Sequence, residues 1–294
     1  MKVRLGTRGS RLALVQSQLF AQRLRDAGHV VELVPIVTEG DVRPIDMSPG
    51  EGVFVAAIAR ALVAGEVDIA VHSAKDVPLD EDPELVIAAY PERADPRDVL
   101  VTRGGNASLE TLRRGGTVGT DSPRRTGFLL AARPDLRIVP IHGNVETRLG
   151  RLDAGEVDAL VLAAAGIDRL GLGARIDQWL DPEVVTPAPA QGALAVQARR
   201  SDIELLALIA VKDLKDLRLA VEVERQVLKA TGGTCRAPVG ALASSSGDSF
   251  TLLVAGVNSD GTGKRVEHIT GEHSQAMDLA AAAGHRLVTE VALR

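Results

Sequence analysis

One segment of this chain occurs twice. "LVAGEVDIAVHSAKD" at 62–76 matches "LDAGEVDALVLAAAG" at 152–166, an offset of 90 positions. In each copy a helix runs into the Gly of "AGEVD" and an apolar strand begins at once. A duplicated helix–strand joint predicts two related α/β domains. It fits a chain of 294 residues, which is too long for one ordinary core.

The segments around the joints continue the pattern. "VRLGTRGSRLALVQSQLFAQRLRDAGHVVELVPIV" reads as strand, helix, strand. Ser10 is placed to cap the helix, Leu12, Val15 and Leu19 share one face, and Gly28 marks the stop. Residues 38–52, rich in Gly, Pro and acids, form a long loop, of a length that is usually functional or disordered. A helix over about 53–64 and the strand ending at His72 follow. "DVLVT", "TVGT", "LRIVPI" and "ALVLAA" are the strands of the second domain. Alternating strands and helices give mainly parallel sheets. "PEVVTPAPAQGALAVQARR" reads as a crossover back to the first domain, ending in a strand at 193–198. Residues 202–231 are mostly helical. The tail alternates short strands with turns before a last helix over about 273–290. The expected domains are 1–91 plus 187–205, then 92–186, both α/β, and a small α+β domain over 206–294.

Composition narrows the function. A net charge of −5 and six aromatic residues argue against nucleic-acid binding and base stacking. No apolar run approaches the roughly 20 residues that span a bilayer, and "MKVRLGTRGS" has no apolar core of a secretion signal, so a cytoplasmic protein without membrane contact is expected. The single cysteine, Cys235, suits a reducing compartment. The six His and one Cys show no zinc spacing, and no phosphate-binding Gly loop is present, so no metal is expected.

The polar residues gather where strands end. In "AVHSAKDVP" an apolar run stops abruptly at His72, Ser73, Lys75 and Asp76. "GTRGSRLA" puts Arg8 and Arg11 at a strand-to-helix turn. "GTDSPRRTG" does the same with Arg124 and Arg125, where Ser122 can cap and Pro123 suits the first helical position. "HGNVETRLGRL" puts Arg148 and Arg151 early in another helix. Cations at helix N-termini oppose the macrodipole and do not stabilise the helix. Repeated at the carboxyl edge of α/β sheets, they predict a polyanionic ligand between the two domains. Asp76, ionised among arginines, suits an N–H donor or a cation that appears during reaction.

At these residues the chain resembles the porphobilinogen deaminase (hydroxymethylbilane synthase) family. "VHSAKDVP", "ADPRDVL", "GTDSPRR", "GNVETRL", "PAPAQGA" and "GGTCRAPVG" occur in the family's order, from residue 4 to about 240. The resemblance implies three domains, the first two folded like type II periplasmic binding proteins. It implies a dipyrromethane cofactor held by a thioether to Cys235, and condensation of four porphobilinogens, with loss of ammonia, into a linear tetrapyrrole. By the same resemblance Asp76 holds pyrrole N–H groups and stabilises the cation left by ammonia, with Lys75 beside it. The cofactor would rest on Ser10, Lys75, Asp76, Thr120, Ser122, Arg124, Arg125, Gly143 and Asn144. The substrate would meet Arg8, Ser10, Phe54, Arg148, Arg175 and Gln191. The loop over 38–52 would be a mobile cover. The resemblance further implies a monomer with a functional hand-off to uroporphyrinogen III synthase.

Three positions depart from the family's pattern. His142 stands where Arg is usual, Asp121 where a small or hydroxyl residue is usual, and Glu51 where many members have Lys. Each lowers the positive charge near an expected carboxylate site, and a lost charged hydrogen bond weakens binding by about 1.5–3 kcal/mol. Arg43 and Arg151 are neighbours that could compensate. Alternatives therefore stand beside the enzyme: an impaired paralogue, a non-catalytic two-domain binder of a small polycarboxylate, and, more remotely, a hydrolase using Cys235 as nucleophile.

Overall fold

The computed structural model describes residues 1–38, 55–80, 82–233 and 237–291. Almost all of the expected cover loop, with Arg43, Glu51 and Phe54, lies outside the described residues, and so does Cys235. The chain forms two compact units, Met1–Arg93 with Ala193–Arg218, and Ala94–Gly192 with Leu219–Arg294.

The first unit contains β1 (Lys2–Arg8), α1 (Arg11–Asp26), β2 (Val30–Ile36), α2 (Ala56–Val63), β3 (Ile69–Ser73) and β4 (Leu85–Ala89). The second takes over with β5 (Asp98–Thr102), β6 (Thr117–Gly119), α3 (Pro123–Ala132), β7 (Arg137–Val139), α4 (Val145–Asp153), β8 (Ala159–Ala163), α5 (Ala164–Arg169) and β9 (Gln178–Trp179). The chain then returns through β10 (Leu194–Arg199) and α6 (Ile203–Ala210) to the first unit. Helix α7 (Lys215–Ala230) leads to β11 (Val239–Ser246), β12 (Ser249–Gly256), β13 (Arg265–Glu272) and α8 (Ala276–Glu290).

Two five-stranded sheets share one plan. Their orders are β2-β1-β3-β10-β4 and β7-β6-β8-β5-β9. In each, three neighbouring strands run parallel, as alternation with helices predicts. The fourth strand, β10 or β5, pairs antiparallel on both sides. These antiparallel strands are the ones that carry the chain in from the other unit, so they enter from the opposite end. Helices cover both faces. Phe20 and Leu24 of α1 and Leu205 and Ile209 of α6 pack on Leu5, Val71 and Val196, while Ile58 and Leu62 of α2 pack on Val67 and Leu85. In the second unit Phe128 and Leu129 of α3 cover Val118 and Val161, and Leu149 and Leu152 of α4 cover Leu160 and Leu162. The tail forms an antiparallel sheet, β11-β12-β13, whose core is closed by α7 and α8 through Val223, Val227, Ala280 and Leu287.

The sequence repeat has a physical basis. Gly65 and Gly155 both take left-handed backbone, at φ +70° and +84°, and end α2 and α4. Glu66 N and Glu156 N then bond back to Ala61 O and Arg151 O, which closes the last helical turn. Val67 and Val157 are buried. Asp68 and Asp158 bridge to the neighbouring strand: their carboxylates accept from Arg4 N at 2.8 Å and Thr117 N at 2.7 Å. Their own N–H groups donate to Arg4 O and Thr117 O.

Two expectations need correction. On α1 the buried face carries Gln16, Ser17, Phe20, Ala21 and Leu24, whereas Leu19 is 40 % exposed; the packed stripe runs through the aromatic residue and not through Leu12, Val15 and Leu19. Residues 206–218, expected in the third domain, belong to the first unit because α6 packs on its sheet.

Candidate active site

In the first unit, β1 and β3 are parallel and end at one edge. Arg8 is the last residue of β1. Two residues on, Ser10 caps α1, its side chain accepting from Ala13 N. β3 runs into a single tight turn, Ala74–Asp76. That turn is fixed at several points. Ser73 Oγ accepts from Gln16 Nε2 at 2.9 Å, Ala74 N donates to Ala193 O at 2.9 Å, and Val77 N donates to Ala74 O at 3.3 Å. Ala74 and Val77 are buried on either side, which leaves Lys75 half-buried and Asp76 exposed. His72 does not join them. Its ring is buried, its Nε2 lies 3.2 Å from Gln197 Oε1, and burial pushes its pKa down to about 4 against a smaller upward pull from Gln197. It is a neutral core residue.

In the second unit the parallel strands β6 and β7 deliver the remaining groups. Thr120 is buried just past β6. Ser122 caps α3 by accepting from Arg125 N, with Pro123 at the first helical position. Arg124 and Arg125 then turn inward on to Asp98, the fully buried first residue of β5. Arg124 Nη2 lies 2.8 Å from one Asp98 oxygen, and Arg125 Nη2 2.8 Å from the other. Arg124 Nη1 also donates to Thr186 O, Arg125 Nη1 to Val161 O at 3.1 Å, and Gln191 Nε2 to Asp98 at 3.0 Å. Burial alone would raise the Asp98 carboxyl, but the two guanidinium charges and their hydrogen bonds hold it well below the usual carboxylate range. Two cations share one anion here. With Arg125 Nε also donating to Asp98 Oδ1 at 3.1 Å, these bonds use two donors of Arg124 and three of Arg125, out of five on each guanidinium, so donors are left for a ligand.

Past β7, Gly143 has φ +105°, and Asn144 caps α4 with its side chain accepting from Thr147 N at 2.8 Å. Arg148 Nε donates to the Gly143 carbonyl at 2.8 Å. Asp121 and His142 meet at this edge, with Nδ1 and Oδ2 3.1 Å apart.

Not every expected residue is gathered here. Arg175 bonds Asp153, the last residue of α4, at 2.7 Å, which puts it at the opposite end of that helix. Arg151 is turned to Glu156, also at that end. Arg169, which the sequence reading passed over, closes α5, the short helix that starts directly from the carboxyl end of β8; its Nη2 donates to Gly192 O at 2.8 Å. Its signal was its position after a strand, the same signal that picked out Arg8 and Arg124.

Residues 3–207 match the model for the dipyrromethane cofactor binding domain of porphobilinogen deaminase, and residues 218–291 match that for its C-terminal domain. A protein named porphobilinogen deaminase from Acidothermus cellulolyticus is 47% identical over 98% of this chain and 88% of its own length. One of the same name from Corynebacterium efficiens is 41% identical over 99% and 98%. Among solved structures, the VFT2 domain of Bordetella pertussis BvgS is 18% identical, with a TM-score of 0.43, over 72% of this chain and 86% of that one. By its sequence, over nearly its whole length, the chain belongs to the porphobilinogen deaminase family.

Proposed function

We propose that this protein condenses four porphobilinogen molecules head to tail, releasing ammonia, to give the linear tetrapyrrole hydroxymethylbilane. The carrying observation is the exposed carboxylate of Asp76 on a turn fixed at the end of β3, in a chain of this family. Departure of ammonia from porphobilinogen leaves a cationic methylene-pyrrole. A carboxylate fixed in place stabilises that charge as it develops, with no reorganisation needed at that moment. The same oxygens accept pyrrole N–H groups. Lys75, half-buried beside it, and Arg8 and Ser10 at the neighbouring strand end, hold acetate and propionate groups of the substrate.

The second unit's residues suit an anionic dipyrromethane. Two guanidinium groups facing one carboxylate leave an excess of buried positive charge, which an acidic pyrrole pair would balance. Arg124, Arg125, Thr120 and Ser122 would hold it, Gln191 would keep Asp98 in place between the arginines, and the N-terminal turn of α4 behind Gly143 and Asn144 would add its dipole. When bound, this group supplies the pyrrole carbon on which the chain is built. We assign its thioether to Cys235, the one thiol of the sequence. Arg148 would take a substrate carboxylate. Arg175, held at the far end of α4, has no part in this reading. We further place the protein in the cytoplasm as a monomer that passes its product to uroporphyrinogen III synthase; the lone thiol supports a reducing compartment.

Turnover of porphobilinogen by the purified protein, with intact mass measured on the same sample, tests the reading. A mass above that of the bare chain, lost in Cys235→Ser, together with ammonia release, is expected. A bare-chain mass that binds porphobilinogen without turnover would return the non-catalytic binder.

A further inference from the structure

Residues 186–191, part of the crossover that leaves the second sheet, are buried apart from the half-buried Ala188. They form a strap that meets the Arg124–Asp98–Arg125 cluster at both ends. Thr186 O accepts from Arg124 Nη1, and Gln191 Nε2 donates to Asp98 at 3.0 Å and to Pro96 O at 2.7 Å. Between those ends lies a tight turn. Gln191 N donates to Ala188 O at 2.9 Å across Pro189 and Ala190, and Ala190 has φ +65°. Proline in second place and a left-handed residue in third are the signature of a type II turn, whose third place normally falls to glycine or asparagine. An alanine there sets its Cβ against a carbonyl oxygen, so the turn is strained and needs a restraint from outside.

The restraint comes from α7. Glu224 is fully buried. One of its carboxylate oxygens accepts from Ala190 N at 2.6 Å, and the other from Ala243 N of β11 at 2.7 Å. The turn's own hydrogen bond uses Gln191 N and leaves Ala190 N without a partner inside the turn; buried as it is, that N–H requires an acceptor from elsewhere. β11 runs beside the strap. Ala241 N donates to Pro187 O at 2.9 Å, and a Cβ added at Gly240 would lie 2.6 Å from Thr186 O. Glu224 thus fastens the strap to β11 at the residue just before Gln191.

We infer that Glu224 is a positioning residue: it holds the Ala190 turn in its left-handed form and thereby sets Gln191 against Asp98. This rests on the function proposed above, in which Arg124 and Arg125 hold the anionic dipyrromethane. A displaced Gln191 would leave Asp98 free to shift between its two arginines, and the donors they keep for the ligand would lose their direction. Glu224 acts through a backbone N–H, two hydrogen bonds away from the arginines.

Substitutions along this line of contacts test it. Glu224→Gln keeps the shape and turns an amide NH2 on to one of the two N–H groups. Glu224→Met, of similar length, removes both acceptors and decides the outcome if the amide keeps its bond to Ala190. Intact mass of the purified protein gives the fraction of chains carrying the cofactor, and hydrogen exchange of the peptide over 188–192 reports the turn. Release of Ala190 should speed that exchange about tenfold, as for the loss of one hydrogen bond to a charged group, and lower the loaded fraction several-fold. Ala190→Gly in the same background should restore most of the loading, because glycine takes the left-handed form unaided. Gln191→Ala should repeat the loss of loading, and combined with Glu224→Met should lose no more than the larger single loss, since both act through one contact. Wild-type exchange and loading in Glu224→Met, a loss that Ala190→Gly leaves untouched, or losses that add with Gln191→Ala would each overturn the inference. A wild type that carries no cofactor mass would instead count against the proposed function. The exchange rates would then still decide: unchanged rates in Glu224→Met would remove the role assigned to Glu224, and faster rates slowed again by Ala190→Gly would uphold it.

Discussion

Asp98 and Asp76 are two carboxylates of opposite use. Asp98 is sealed in the interior with Arg124 on one oxygen and Arg125 on the other. Its removal leaves two buried guanidinium groups without their counter-ion, and breaking such a cluster costs about 3–5 kcal/mol. Asp98→Asn should therefore lower the melting temperature by many degrees and take activity down with the fold. Asp76 is exposed on its turn, and an exposed carboxylate with neighbours in water does little for stability. Asp76→Asn should melt within a degree or two of wild type, yet lose about a hundredfold or more in kcat, since the charge that meets the developing cation is gone. A stable variant with unchanged turnover would remove Asp76 from the chemistry. The sequence signals differed accordingly. Asp76 was visible because it broke an apolar run, a local event. The inward turn of Arg124 and Arg125 was not visible, since their partner lies 26 and 27 positions away in the chain and is brought close only by the antiparallel entry of β5. His142 and Asp121 were each noticeable in isolation, but their meeting depends on the β6–β7 register.

At the scale of elements, the helix–strand joint is the unit from which the fold is repeated. Its left-handed glycine is a backbone requirement, and Gly65 isolates it: φ is +70°, and a Cβ there would meet nothing within 4 Å. Any cost of Gly65→Ala is therefore conformational, about 1 kcal/mol. At Gly155 a Cβ would come 2.6 Å from Arg103 Nη1, the far end of a flexible side chain that can move aside, so Gly155→Ala should cost a similar amount. Urea unfolding of the two variants checks this, and an unaffected Gly65→Ala would mean that the turn relaxes out of the left-handed region. Features of this local kind were legible in advance: the caps at Ser10 and Ser122, the Pro123 start, the Gly28 stop at φ +86° and the strand ends. Features set by packing were not. The buried face of α1 includes Gln16 and Ser17, because Gln16 bonds Ser73 and holds the turn that carries Asp76. The two-residue strand β9 is too short to show a period, and it pairs with its antiparallel neighbour β5.

For the molecule as a whole, stability against acid combines these groups, and their pH windows separate them. His72 is held neutral by burial, with its pKa pushed from 6.5 to about 4. A base whose folded pKa lies below its unfolded value binds protons more readily when unfolded. The folded state therefore keeps its full stability above about pH 6.5 and loses it steadily as pH falls towards 4, by about 3 kcal/mol in all at roughly 1.4 kcal/mol per unit. Asp98 acts later. Its folded pKa is depressed, so its contribution is complete above the unfolded value of 3.8 and is lost only as pH falls below it. Asp158, held at about 2 by the Thr117 backbone N–H and by Arg113 against the opposing effect of burial, follows the same sign in the same low range. Between pH 6.5 and 4.5 the slope should thus belong largely to His72. His72→Gln, which keeps a polar partner for Gln197 but has no proton to gain, should flatten the fall in melting temperature over that interval and leave the steep loss below pH 4 in place. Equal slopes for the two proteins above pH 4.5 would show that another group governs the mild-acid range, and that the polar residue before the turn carrying Asp76 is not the buried neutral histidine described above.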